Sequence, residues 1–378
     1  MGLQLKICIV VPSLSGGGAE FVAREWAAWL VSQGDAVTVA LTHPKKTDIR
    51  PVGADIVNLG GDGPLAHVQA IRRLVRCNRF DAVIGLLPYF NLLAVLAGIG
   101  RIGKRRPKVF ISGRNVEVPF PHVHGKSFRL TRAISKILYP LADGYIAISH
   151  PVAAEAGALY GIKSNKMRVV PNPATAKVQA WQKAADTAGS KLGQGVHEQV
   201  EGGVLNLIVP ARLADQKRPL VAVEAARLLS NSPYSFSKVV LHFFGDGPLR
   251  AEVERGALDA GVEARFHGWV EEWFAAAPTS GVVLLTSLAE GFGNVLVEAA
   301  AIGLPSVVSS RCLGSADAVV PGITGEFAAG DAPRDYAEAI SKAAGLPLDQ
   351  ASLGSWLERF SPETSGKSLR DYLASVIG

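Results

Sequence analysis

Residues 287–303 read SLAEGFGNVLVEAAAIG and place two carboxylates, Glu290 and Glu298, with seven residues between them. An ionised carboxylate accepts two hydrogen bonds, which suits the vicinal hydroxyls of a sugar or a ribose. Between them, Gly291, Phe292 and Gly293 form a turn whose backbone N–H groups can approach a ligand closely. Asn294 is the expected cap of a helix that starts at Val295 and is stopped by Gly303 and Pro305. The start of such a helix favours negative charge, so a phosphate fits beside it. Alone, the segment also reads as a capped surface helix with incidental acids.

A second segment adds cations. Ala211-Arg212-Leu-Ala-Asp-Gln-Lys217 follows directly on a buried run, LNLIVP. Arg212 and Lys217 then fall at a strand end, where two positive groups suit a diphosphate. Gly16, Gly17 and Gly18 follow the first apolar run of the chain and precede a helix. They make an anion-accepting turn, although neither the GxGxxG nor the GK[ST] spacing is present.

The elements that position these groups alternate strand and helix, twice over. Strands are expected at residues 5–12, 36–41, 54–59, 82–87, 108–112 and 144–149, with helices at 21–33 and 65–79. The same grammar restarts with strands at 205–210, 238–244, 262–267 and 282–286. Residues 167–175 look like the exit from the first half, and the polar stretch 177–206 reads as an insertion or mobile linker. The pattern is α/β: two Rossmann-like, doubly wound domains with a cleft between them at the carboxyl ends of their strands.

Composition narrows the class. At 378 residues, 48% hydrophobic and 19% charged, the chain is folded and large enough for two domains. Cys8, Cys77 and Cys312 lie far apart, so neither a disulfide framework nor a Cys-based metal site is expected, and a reducing compartment fits. The first residues, MGLQLKICIVVPSL, do not form a secretion signal. Residues 82–100 carry no charge, but Pro88 and Asn91 interrupt them. They read as a buried strand and helix, not a membrane span.

Charge is uneven. Residues 1–177 carry a net +13 and residues 178–378 a net −7. The first half is therefore expected to meet an anionic partner. Residues 104–108, KRRPK, form a basic knot. Residues 126–141 read as an amphipathic helix, with Arg129, Arg132 and Lys136 on one face and Phe128, Ile134, Ile137 and Leu138 on the other. This is either a solvated face over a normal core or a patch for an anionic membrane. No nucleic-acid motif is present.

Taken together, SGGGAE, ARLADQK, FFGDGPL, FHGWV, SLAEGFGNVLVEAAAIGLPSVVSS and GITGEF resemble the retaining glycosyltransferases of family four, which have the GT-B fold. The resemblance covers nearly the whole chain. It implies an acceptor-binding domain at 1–173, a linker at 174–204, a nucleotide-sugar-binding domain at 205–361 and a C-terminal helix at 362–378 that can return to the first domain. By the same resemblance, Arg212 and Lys217 hold the donor diphosphate and Glu298 the ribose. Glu290 with the N–H groups of Phe292 and Gly293 holds the sugar. His267 and Gly268 lie beside the base, and Gly17 and Gly18 close on the phosphates.

Many relatives carry a histidine where this chain reads ISGRN, so Arg114 or Asn115 stands in its place. His122 and His124 follow in a loop. The implied reaction moves a sugar from a UDP- or GDP-sugar to a lipid-linked saccharide, without metal or cofactor. It implies a cytoplasmic protein, peripheral on the inner face of the cytoplasmic membrane. A nucleotide-sugar epimerase and a noncatalytic sugar-nucleotide-binding protein remain the alternatives.

Overall fold

A computed structural model describes residues 4–98, 106–117, 126–187, 200–230 and 236–378. Lys104 and Arg105 of the basic knot, His122 and His124 lie outside the described residues, as do the side chains of 126–129. The chain divides into two compact units, residues 1–173 with 360–378, and residues 174–359.

Unit 1 runs β1 (Lys6–Val11), α1 (Gly18–Ser32), β2 (Ala36–Leu41), β3 (Asp55–Asn58), α2 (Pro64–Asn78), β4 (Ala82–Leu86), α3 (Pro88–Gly98), β5 (Lys108–Gly113), α4 (Lys126–Leu138), β6 (Gly144–Ala147), α5 (His150–Tyr160) and β7 (Met167–Val169). The strands pair in the order β3-β2-β1-β4-β5-β6-β7, all parallel. Strands β1 and β4 are buried on both faces, which explains why they read as unbroken apolar runs rather than alternating ones. No described helix is long and apolar enough to cross a membrane.

Unit 2 runs α6 (Ala176–Thr187), β8 (Val200–Glu201), β9 (Val204–Val209), α7 (Pro219–Ser230), β10 (Lys238–Phe244), α8 (Arg250–Asp259), β11 (Glu263–Gly268), α9 (Trp273–Ala276), β12 (Val282–Leu285), α10 (Asn294–Ala301), β13 (Ser306–Ser309), β14 (Gly325–Ala328), α11 (Pro333–Ala343) and α12 (Gly354–Glu358). The parallel order is β11-β10-β9-β12-β13-β14, with β8 antiparallel on β9. Chain order reverses between β9 and β12, and ligands of open α/β sheets bind at such a switch point, outside the carboxyl ends of the strands. The Arg212 and Glu290 segments are those two loops.

Two expectations change, for the linker and for helix α4, and the expected return of the C-terminal helix to the first domain holds. The linker expected at 174–204 is structured at both ends. Helix α6 buries Val178 fully and packs Trp181 against Phe274, their rings 5.4 Å apart. Its polar remainder faces outward, which hid the period.

The C-terminal helix α13 (Pro362–Ile377) belongs to unit 1. Ser365 accepts from Trp26 Nε1 at 2.9 Å, and Arg370 grips buried Asp35 at 2.7 Å.

Helix α4 turns its apolar residues outward. Leu130, Ile134, Ile137 and Leu141 are exposed, Ile137 at 72%, while Ser135 and Tyr139 are buried.

Candidate active site at the second switch point

The loops after β9 and β12 are tied together by short bonds. Thr286 donates from Oγ1 to the Lys217 carbonyl at 2.6 Å, and Gln216 Nε2 donates to the Ala289 carbonyl at 3.0 Å. The Leu288 amide returns a bond to the Gln216 carbonyl at 2.9 Å. These ties bring Lys217 against Glu290, and Nζ forms an ion pair with Oε1. Both side chains are partly screened from water, so the pair is stronger than a surface salt bridge. Arg212, on the same loop, is exposed, and no described residue pairs with it.

Glycines let backbone pack on backbone around these loops. A Cβ at Gly247 would lie 2.3 Å from the Leu213 carbonyl oxygen, and one at Gly314 would lie 1.8 Å from that of Glu290. The first contact seats the Arg212 loop, and the second seats the Glu290 turn on residues 313–317. Phe292 turns its side chain into the core at 2% exposure. That burial contributes about 1.5–3 kcal/mol to holding the turn.

Helix α10 starts one residue earlier than the sequence suggests. Gly293, at φ +90°, is its N-cap, and Asn294 is its first helical residue. Asn294 is therefore not the side-chain cap expected of it, and Val295 falls in the first turn. Glu298 lies one turn in, buried, and Oε2 accepts from Trp273 Nε1 at 2.7 Å. Burial raises the Glu298 pKa, while the Trp273 bond and the charge of Lys177 pull it back down.

The Trp273 ring lies 6.5 Å from Phe244, and Phe244 stacks on His267 at 4.2 Å and 5°. His267 occupies a bulge, because Phe243 pairs with Phe266 and Phe244 pairs with Gly268. The bulge re-aims the His267 side chain, and Gly268 supplies the positive φ of +72° that the turn requires. Glu298, Trp273, Phe244 and His267 therefore form one continuous floor on one side of the sheet. Gly291, Phe292, Gly293 and Glu290 lie at the end of β12.

In unit 1, the candidate glycines precede and open α1. Gly17 is the N-cap of α1, and a Cβ there would lie 2.3 Å from Glu20 Oε2. A phosphate at this turn meets that carboxylate as a like charge. Gly16, at φ +100°, lies against Lys45, whose Nζ donates to the Ser15 carbonyl at 3.2 Å, and Gly18 is open.

Arg114 does not fit the catalytic position drawn from its sequence context. Its guanidinium stacks 4.7 Å above Trp26, and Nη1 donates to Asn172 Oδ1 at 2.7 Å. Nε and Nη2 are sealed from water with no partner among the described residues. Burial pushes its pKa down to about 9, which still leaves the group charged at neutral pH. Asn172 and Trp26 hold it as a strut of unit 1.

Residues 16–176 match the family described as Glycosyltransferase Family 4, and residues 205–345 match Glycosyl transferases group 1. The chain belongs to the family 4, group 1 glycosyltransferases. A D-inositol 3-phosphate glycosyltransferase of Kribbella flavida is 29% identical over 56% of this chain and 51% of its own length. The chain thus spans about half the length of that relative. A Campylobacter jejuni α-1,4-N-acetyl-D-galactosaminyltransferase, named for a diphospho-undecaprenol-linked saccharide, is 22% identical over 84% of this chain and 82% of its own. Among solved structures, Anabaena HepE in complex with UDP and glucose superposes with a TM-score of 0.71 at 17% identity, covering 98% of this chain and all of that one. At that identity the likeness establishes the GT-B fold alone.

In this family 4 member, sequence reasoning missed the residues that hold the site rather than face it. Trp273, Phe244 and His242 reach Glu298 and His267 from other elements. The one available signal was FHGWV together with KVVLHFF, two aromatic-rich strands in succession. Among the described residues, no group of three or more His, Cys, Asp or Glu side chains is placed to share a metal ion.

Proposed function

We propose that the chain moves a sugar from a nucleoside diphosphate sugar to a saccharide acceptor with retention of configuration, and that unit 2 carries the donor. The Lys217–Glu290 ion pair at the switch point, with Arg212 exposed beside it, carries this reading. A diphosphate entering there replaces Glu290 as the partner of Lys217 and gains Arg212. Glu290 is then released to accept hydroxyls of the sugar, and Glu298 accepts those of the ribose.

Catalysis in this scheme is electrostatic. As the glycosidic C–O bond breaks, negative charge grows on the leaving diphosphate, where Arg212, Lys217 and the start of α10 meet it. The acceptor hydroxyl attacks from the face that the diphosphate leaves and gives its proton to a donor phosphate oxygen. No step calls on a metal or a bound cofactor.

The acceptor we propose is lipid-linked and is met at an anionic membrane surface. Helix α4 supports this with an exposed apolar stripe, Leu130, Ile134 and Ile137, on the part of the chain that carries net +13. An apolar stripe edged by cations is the pattern of a helix lying in the headgroup region. The name of the Campylobacter relative points to the same acceptor class.

Titration calorimetry with UDP, GDP and their sugars tests the donor assignment. Nucleotide binding is expected to fall in Glu298→Gln and to hold in Glu290→Gln, which should instead lose sugar transfer. Equal loss of nucleotide affinity in both variants contradicts the division. Sugar release from the donor without any acceptor, at the full transfer rate, contradicts transfer itself.

A further inference from the structure

Two histidines beside the β11 rim are joined in a chain of hydrogen bonds whose direction is fixed from its far end. Asn206 donates from Nδ2 to the Ser280 carbonyl oxygen at 3.2 Å. A carbonyl only accepts, so this bond turns the Asn206 Oδ1 toward His242, whose Nε2 lies 3.1 Å away. Oδ1 also only accepts, so Nε2 of His242 carries a hydrogen.

His242 is buried, and that burial, with the charges of His267 and Arg265, lowers its pKa to about 4. Its ring is therefore neutral near pH 7, and its Nδ1 is a bare lone pair. That lone pair faces Nε2 of His267 at 3.2 Å, with the two rings only 6° from parallel. Nε2 of His267 must be the donor. Burial and the charge of Arg265 also lower the His267 pKa, so its ring too is neutral near pH 7. A neutral imidazole has one N–H, which leaves Nδ1 of His267 as an acceptor.

The ring that presents this acceptor is exposed, and one of its faces is backed by Phe244. Strand β11 lies two strands from β9, roughly 10 Å along the rim. Cations at the β9 end, the Glu298 carboxylate linked through Trp273 and Phe244 to His267, and a flat polar ring at the β11 end suit the phosphates, ribose and base of a nucleotide.

We propose that His267 reads the donor's base through its Nδ1 acceptor and selects bases that offer a ring N–H, uracil and guanine, over cytosine and adenine, whose corresponding ring nitrogen is itself an acceptor. Asn206 and His242 are positioning residues that hold His267 in that tautomer. The proposal rests on the donor assignment made above for unit 2.

The experiment has two arms. Nitrogen-15 NMR of the free protein at pH 7 should show both His242 and His267 as Nε2–H tautomers. Calorimetry should show UDP or GDP binding about tenfold or more tighter than CDP and ADP, as a mismatched acceptor pair leaves two polar groups unpaired. In His267→Ala, an exposed position that tolerates truncation, the preference should shrink to within about threefold. In His242→Phe, which removes the lone pair that orders His267, the preference should shrink likewise. Binding of inorganic pyrophosphate should not change in either variant.

An Nδ1–H tautomer at His267, equal binding of all four nucleotides to the unaltered protein, or an undiminished preference in His267→Ala overturns the proposal while leaving the donor site standing. Failure of every nucleotide to bind at millimolar concentration overturns the donor assignment and this proposal with it.

Discussion

Trp273 and Glu298, 25 residues apart in sequence, meet through a 2.7 Å bond from the indole N–H to a carboxylate that burial makes harder to ionise. A buried acid held by one neutral donor is a destabilising choice for a fold, and it is retained where a carboxylate has something to bind. Because the folded-state pKa is raised, the unfolded chain ionises first as pH climbs, and the folded state loses stability from the ordinary glutamate range up to the folded value. Glu298→Gln has no such loss. Its melting temperature, relative to the unaltered protein, should therefore rise with pH across that window and level off above it. Thermal melts from pH 4 to 8 read this directly, and a difference that is flat or falls with pH is the contrary result.

The cation pair at the switch point carries the largest expected rate effect. Arg212→Ala should cost about 2–4 kcal/mol of transition-state stabilisation, the usual loss for one preorganised donor. Lys217→Ala should cost a similar amount and should also leave Glu290 without its partner. A transfer assay that finds Arg212→Ala within about threefold of the unaltered rate removes Arg212 from the mechanism.

Arg114 should prove replaceable. Among the described residues its guanidinium has one side-chain acceptor, Asn172, an aromatic face and two sealed N–H groups without partners. An apolar side chain of similar length sheds the desolvation cost, so Arg114→Met should keep its stability to within about 1 kcal/mol or gain, whereas Arg114→Ala should lose about 2 kcal/mol or more through the cavity. Chemical denaturation separates them, and a large loss in the methionine variant would show that the charge itself is needed.

For helix α4, the outward apolar residues now matter more than the cations first picked out. Arg132 turns its Nε into the protein, sealed and with no partner among the described residues, whereas Leu130 and Ile137 face out. Leu130→Ser with Ile137→Ser should weaken binding to vesicles containing anionic lipid by more than about tenfold, since each apolar side chain contributes about 1.5–3 kcal/mol when buried. Binding by the unaltered protein should fall as salt rises. Sedimentation that shows the double variant on vesicles as before would mean that the stripe does not touch lipid.

The alternation of buried strands and helices was readable because parallel strands covered on both faces leave unbroken apolar runs, as in β1 and β4. The segment from Glu290 to Glu298 was readable because turn glycines, cap and acids lie within one short stretch. Trp273, His242 and Asn206 were not readable, because each acts on a residue brought close only by tertiary packing, helix to helix for Trp273 and strand to strand for the other two. Periodicity also could not tell which face of α4 turns inward. It reports that two faces differ, and only the neighbours Ser135 and Tyr139, buried on one side, decide between them. Helix α6 escaped because its inward face is narrow, chiefly Val178 and Trp181 in a polar stretch.

Helix α13 gives the order of synthesis a consequence. Unit 1 is begun first, yet the Trp26 indole N–H, the Asp35 carboxylate and the Tyr145 amide are bonded to Ser365, Arg370 and Tyr372 of α13. During synthesis, unit 2 can therefore close while unit 1 still waits for residues 360–378. A nascent chain stalled before residue 360 should protect unit 2 from protease and leave α1 open to cleavage until α13 has been made.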